Sequence, residues 1–131
     1  MLITLPKLLK KIKQNNVTIE IEKRRLSKGW YDYGFKKNHG FIVGNKNSSD
    51  NKEWDVLIFG YKNLNLYYGQ RYKINKILGI IFLSDGNHKL IPTIPYKRGF
   101  DKNLYKKQVN KFIRNYKKRW PTIDIIYYEI S

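Results

Sequence analysis

The chain has no cysteine, two histidines, one methionine, and ten acidic residues against 27 Lys and Arg. Without cysteine there is no disulfide framework, thiolate metal site or thiol nucleophile. Only His39 and His88 can supply imidazole, which argues against a histidine-rich zinc site. No apolar run is long enough to cross a membrane. The N-terminal Met1-Leu2-Ile3-Thr4-Leu5-Pro6-Lys7 also lacks the sustained apolar core of a signal peptide. The expectation is a soluble intracellular protein with no membrane span.

What is present is cationic charge. The 131 residues suffice for one compact domain with a real core, and they carry a formal net charge of +17. Such an excess does not choose a fold. It predicts attraction to polyanions, with nucleic acid first and anionic membrane second.

Along the chain, Leu2, Leu5, Leu8, Leu9 and Ile12 alternate with Lys7, Lys10, Lys11 and Lys13 at helical spacing. Residues 1–16 therefore read as a basic amphipathic segment ahead of a single domain over 17–131. Val17–Ile21 alternates as a strand should. Short strands are expected around Gly29 and Gly34, and a loop over Gly44–Ser49. Further strands are expected over Trp54–Phe59, Gln70–Ile74, Ile77–Leu83, Lys89–Ile94 and Ile123–Tyr128. Asp101 is a candidate N-cap for a helix that must end at Trp120, because Pro121 cannot continue it. Leu104, Tyr105, Val109, Phe112, Ile113 and Tyr116 give that helix an apolar face, and Lys107, Lys111, Arg114 and Lys118 recur on another. The class is α+β: a distorted, OB-like β-barrel of short strands with a C-terminal helix packed on it.

Asp50-Asn51-Lys52-Glu53-Trp54-Asp55-Val56 reads as a metal-binding acidic motif whose middle carboxylate has become an ammonium. Asp50 and Asp55 offer oxygens to hard cations such as Mg²⁺. Lys52 puts a positive charge between them, and like charges repel by roughly 1 kcal/mol at contact in water and more in a cleft.

The motif resembles the Asp-x-Asp signature of the soluble inorganic pyrophosphatases. Asp50, Glu53, Asp55 and Val56 fit it, while Lys52 replaces its second aspartate. Phe35 and His39-Gly40-Phe41-Ile42 are similar to that family's preceding aromatic segment, and Glu20 to its strand glutamate. Gly79-Ile80-Ile81-Phe82-Leu83-Ser84-Asp85 and Lys89-Leu90-Ile91 resemble its later strands, and Tyr116-Lys117 its phosphate-holding Tyr-Lys pair. The resemblance implies an OB-like barrel and a remnant phosphate site at Lys89, Tyr116 and Lys117. It also implies a remnant metal site at Asp50, Asp55 and Asp85. The fifth acidic ligand falls at Asn87-His88 and is missing, and Lys28 is the surviving cation of a shortened segment. The implied outcome is a pseudoenzyme with no cofactor beyond one weakly bound Mg²⁺.

Two classes of function follow. The first is a non-catalytic, sequence-independent nucleic-acid binder, with duplex DNA as the expected partner. Its contacts would come from Lys102, Lys106, Lys107, Lys111, Arg114, Lys117, Lys118 and Arg119, and from a second patch of Arg24, Arg25, Lys36 and Lys37. Trp30, Tyr31 and Tyr33 leave single-stranded RNA as a rival, through base stacking. This reading places the protein with a nucleoid or in a virus particle. The second is an active, divergent Mg²⁺-dependent pyrophosphatase using Glu20, Asp50, Glu53, Asp55 and Asp85. A self-assembling structural protein is a further alternative, and a homo-oligomer is expected.

Overall fold

Alternating apolar residues become strands with two buried faces, and each face receives its own helix. The computed structural model describes residues 1–22, 38–62, 66–95 and 97–130. In chain order it comprises helix α1 (Leu5–Lys13) and strands β1 (Val17–Ile21), β2 (His39–Asn47) and β3 (Lys52–Leu57). Strands β4 (Arg71–Ile74), β5 (Ile77–Leu83) and β6 (Lys89–Pro92) follow, then helix α2 (Lys102–Arg119) and strand β7 (Ile125–Glu129). The strands form one mixed sheet in the order β4-β1-β2-β3-β6-β5-β7. The β3–β6 pair is parallel and the other neighbours are antiparallel.

One face of the sheet presents Val17, Ile19, Ile21, Ile42, Trp54, Val56, Ile80 and Leu90, and Leu8 and Ile12 of α1 close over it. The other presents Leu57, Ile81, Leu83 and Ile91 to Tyr105, Val109, Phe112 and Tyr116 of α2. The α+β class is as expected. Among the described residues, however, the sheet does not close into a barrel, and β4 and β7 remain its outer strands. With a helix over each face, the apolar side chains are buried without closure.

Helix α1 is shorter than the expected amphipathic segment. Thr4 is extended at the N-cap and Pro6 sits in the first turn, where its missing N–H is harmless. Leu2 instead lies beside Lys46 of β2, and the Ile3 N–H donates to the Lys46 carbonyl at 3.0 Å. That contact explains the largest departure from expectation. Of the expected Gly44–Ser49 loop only Ser48 and Ser49 lie in a turn, because β2 runs through to Asn47 after a register shift between Phe41 and Lys46. Gly44 takes a positive φ of 74° within that irregularity, which a side chain would resist. Asn45 and Asn47 are buried there, and the Asn47 amide donates to the Gly86 carbonyl at 2.9 Å. The strands expected around Gly29 and Gly34 lie outside the described residues.

Helix α2 begins and ends where its end signals place it. The Asp101 carboxylate accepts from the Asn103 and Leu104 N–H groups at 2.8 and 3.1 Å. Two short registers fix the sheet beneath it. Gly40 has no room for a Cβ, which would stand 2.6 Å from the Glu20 carbonyl oxygen. Gly79 clears the Tyr105 and Tyr127 hydroxyls, which share a 2.6 Å hydrogen bond linking α2 to β7.

Phe112 is fully buried under α2. Phe112→Ala should lower the unfolding free energy by about 3–5 kcal/mol in urea melts. Arg114→Ala, on the opposite face of the same helix, should change it by no more than about 0.5 kcal/mol.

Candidate functional site

Register across the sheet builds the site. Glu20 lies opposite Phe41, Phe41 opposite Asp55, and Asp55 opposite Lys89, so these four side chains leave the sheet on the α2 side. Below the end of α2, Phe41, Asp55 and Lys89 open into a cleft of about 480 Å³. Asp50, Lys52, Glu53, Asp55, Lys89 and Tyr116 all line it, joined by Glu22, His39, Phe41, Lys46, Asn51 and Asn87.

Asp55 and Lys89 form the centre of this cleft. The Lys89 ammonium donates to the Asp55 carboxylate at 2.6 Å, and the two side chains are only 6% and 16% exposed. Removing both charges from water is expensive, so each depends on the other. Asp50 spends one carboxylate oxygen on the Lys52 N–H at 3.0 Å, a local turn contact.

Several sequence candidates fall elsewhere. Asp85 accepts from the Asn87 N–H at 3.0 Å and does not line the cleft. Lys117 donates to the Ile123 carbonyl at 2.8 Å, closing the turn after α2. Glu20 is held by Arg71 at 2.9 Å toward the sheet edge. Glu22, two residues on and past the end of β1, reaches the cleft instead. Strand alternation puts Glu20 and Glu22 on one side, but only the fold tells which of them meets Asp55. Lys46 is a cleft residue that sequence reading missed, because its segment looked like a loop.

His88 packs within the fold. Its Nδ1 accepts the Leu83 N–H at 3.0 Å, and its ring packs edge-on to Phe82. Burial holds its pKa below the ordinary imidazole value.

The residues present do not fit a cluster of Mg²⁺ ions. Among the described residues, no three Asp, Glu or His side chains gather as a metal site. One oxygen of the Asp55 carboxylate, Oδ2, already meets an ammonium. The cleft also mixes four carboxylates with three lysines, so it is not an anion funnel.

The cationic surface lies on α2. This helix of 18 residues carries eight Lys and Arg and no acid. Tyr105, Val109, Phe112 and Tyr116 are buried, and Lys107, Lys111, Arg114 and Lys118 are exposed on the far side. At 100° per residue the four cations occupy about 60° of arc and span about 16 Å along the axis. Lys106 and Lys117 lie to one side of this stripe, Lys102 lies in the first turn nearer the buried face, and the Arg119 guanidinium sits 5.4 Å from the Trp120 ring. Arg24, Arg25, Lys28, Trp30, Tyr31, Tyr33, Lys36 and Lys37 lie outside the described residues. No family model matches this chain, and no curated protein matches it either.

Breaking the buried pair from one side should be costly. Lys89→Met or Asp55→Asn is expected to lower the unfolding free energy by about 3 kcal/mol or more. The double replacement Asp55→Leu with Lys89→Met should lose less than either single change, as read by a double-mutant cycle in urea.

Proposed function

We propose that the protein binds nucleic-acid backbones without sequence preference, through the outer face of α2, and that its cleft is not catalytic. One observation carries this reading: eight cations and no acid on a helix whose apolar side is already buried. Like charges three or four residues apart repel along such a helix. A polyanion laid on the stripe relieves that repulsion and releases its own condensed counterions.

Duplex DNA suits the surface better than single strands. The stripe from Lys107 to Lys118 is straight, exposes only Lys, Arg and Asn, and offers no aromatic platform for unstacked bases. Five of its six exposed side chains from Lys107 to Lys118 are cations that suit phosphates, and phosphates carry no sequence information. The apolar stripe of α1 covers the sheet, which favours a polyanion over membrane insertion as the partner. A degenerate relative of the pyrophosphatase fold is consistent with the residues in the cleft. Of the six residues that resemblance implies, Asp50, Asp55, Lys89 and Tyr116 line the cleft whereas Asp85 and Lys117 do not, and the Lys89 ammonium stands against Asp55.

Binding to random duplex DNA should weaken with salt, with a slope of log K on log[salt] of about −4.5 for about five neutralised phosphates. The triple variant Lys107→Gln, Arg114→Gln, Lys118→Gln should flatten that slope by about 2.7, with unchanged circular dichroism. A slope unaffected by the triple variant would place the contacts elsewhere.

The four cleft carboxylates favour a second reading, Mg²⁺-dependent hydrolysis of a diphosphate. Phosphate release from pyrophosphate decides between them. Neither the unmodified chain nor Lys52→Asp should turn over while Lys89 occupies Asp55, and enzymatic turnover by the unmodified chain would overturn the non-catalytic reading.

A further inference from the structure

We infer that two copies of the chain associate through β7, edge to edge and antiparallel, so that one sheet continues into the other. Strand β7 is hydrogen-bonded to β5 on one side and is the last strand of the sheet among the described residues. The Ile130 N–H donates to the Leu78 carbonyl at 2.9 Å, and the Ser84 N–H to the Asp124 carbonyl at 3.0 Å. Those bonds set the parity of the ladder. Ile126 and Tyr128 turn their backbone groups toward β5, while Ile125, Tyr127 and Glu129 direct theirs away from the sheet.

Outer strands are ordinarily guarded by charged side chains, lysine above all, or by proline or bulges. The other outer strand, β4, follows that rule with exposed Arg71 and Lys73. Strand β7 has neither a cation nor a proline and only Glu129, at its end, as a charge, and Ile126 and Tyr128 are 68% and 59% exposed. Both point to the α1 side of the sheet, opposite Phe82 and Ile80.

The occupant that matches this edge is the same edge. An antiparallel pairing centred on Tyr127 sets each Tyr127 against its equivalent and each Ile125 against a Glu129. Every outward group then meets an outward group, for about six hydrogen bonds. In that register Ile126 of each copy lies against Tyr128 of the other in the closer type of pair, covering four exposed apolar side chains. Charge permits the same place. From Trp120 to the end there is no Lys or Arg, and Asp124 and Glu129 add negative charge, so the strand itself adds no repulsion between two copies of net charge +17. Lys106 nevertheless borders Tyr127 and Glu129 on one face, and Lys13 and Lys76 border Tyr128 on the other.

The two-fold axis is normal to the sheet, because directly paired residues share a face. Both α2 helices therefore lie on one side and form a single basic surface. That consequence for DNA rests on the function proposed above; the association itself does not.

The test uses the full chain without nucleic acid, so its outcome is independent of DNA binding. Sedimentation equilibrium should give twice the 15.8 kDa chain mass. Association should strengthen between about 0.15 and 0.5 M salt as repulsion is screened. Ile126→Lys with Tyr128→Lys, and separately Glu129→Pro, should be monomeric with unchanged circular dichroism. Those side chains are exposed, and the Glu129 N–H does not face β5. In this cysteine-free chain, Ile126→Cys with Tyr128→Cys should cross-link into a covalent dimer on oxidation. A monomer at both salts, a dimer that survives the lysine and proline variants, or a concentration-dependent ladder of larger species would each overturn the proposal. Failure of the cysteine pair to cross-link would overturn the register.

Discussion

Four side chains decide where α2 lies, and with it where the cationic surface goes. About five pairs of like charge stand three or four residues apart on this helix, each opposing it by about 0.2–0.5 kcal/mol. Burying Tyr105, Val109, Phe112 and Tyr116 offers about 1.5–3 kcal/mol apiece, several times the total repulsion. Packing therefore wins, and the helix forms because the sheet holds it rather than because its surface favours it. The same apolar contact that docks the helix forces Lys107, Lys111, Arg114 and Lys118 outward as one line.

Charge is thus segregated rather than diffuse. Four of the ten acids line the cleft beneath α2, while the outer face of that helix has none. Inside the cleft the dominant contact is between opposite charges already in register across β3 and β6, Asp55 and Lys89. A buried pair of this kind holds a shape more than it adds stability. An incoming anion would compete with Asp55 for the ammonium, and an incoming cation with Lys89 for the carboxylate. The outer stripe belongs to a helix with no acid of its own, which is why the two surfaces are proposed to have different roles.

Much of this was legible in the chain itself. The bounds of α2 follow from Asp101 and Pro121, and β5 from a continuous apolar run, because these signals act within a few residues. Strand β2 was not legible. Its Gly-Asn-Lys-Asn composition favours turns, and it stays extended through backbone bonds to Met1 and Ile3, more than 40 residues away. The cleft was read in part: Asp50, Asp55, Lys89 and Tyr116 were named, whereas Glu22 and Lys46 were not. Glu20 was the more conspicuous strand carboxylate, but Arg71, 51 residues on, holds it at the edge. Local pattern tells which face a side chain takes; it cannot tell who waits on that face.

The open sheet ties these pieces together. A closed barrel would have no edges and could extend its basic surface only by growing. Among the described residues, this sheet keeps one edge guarded by Arg71 and Lys73 and leaves the other, β7, with no cation on the strand and Glu129 as its one charge. Electrostatics then acts in opposite directions on the two proposed contacts. Salt screens the repulsion between copies and so favours association at β7, yet it removes the counterion release that drives binding along α2. Bound DNA would reconcile them, since it neutralises the stripe that makes two copies repel. In the proposed dimer, each association lowers the barrier to the other through charge alone, with no change of fold required.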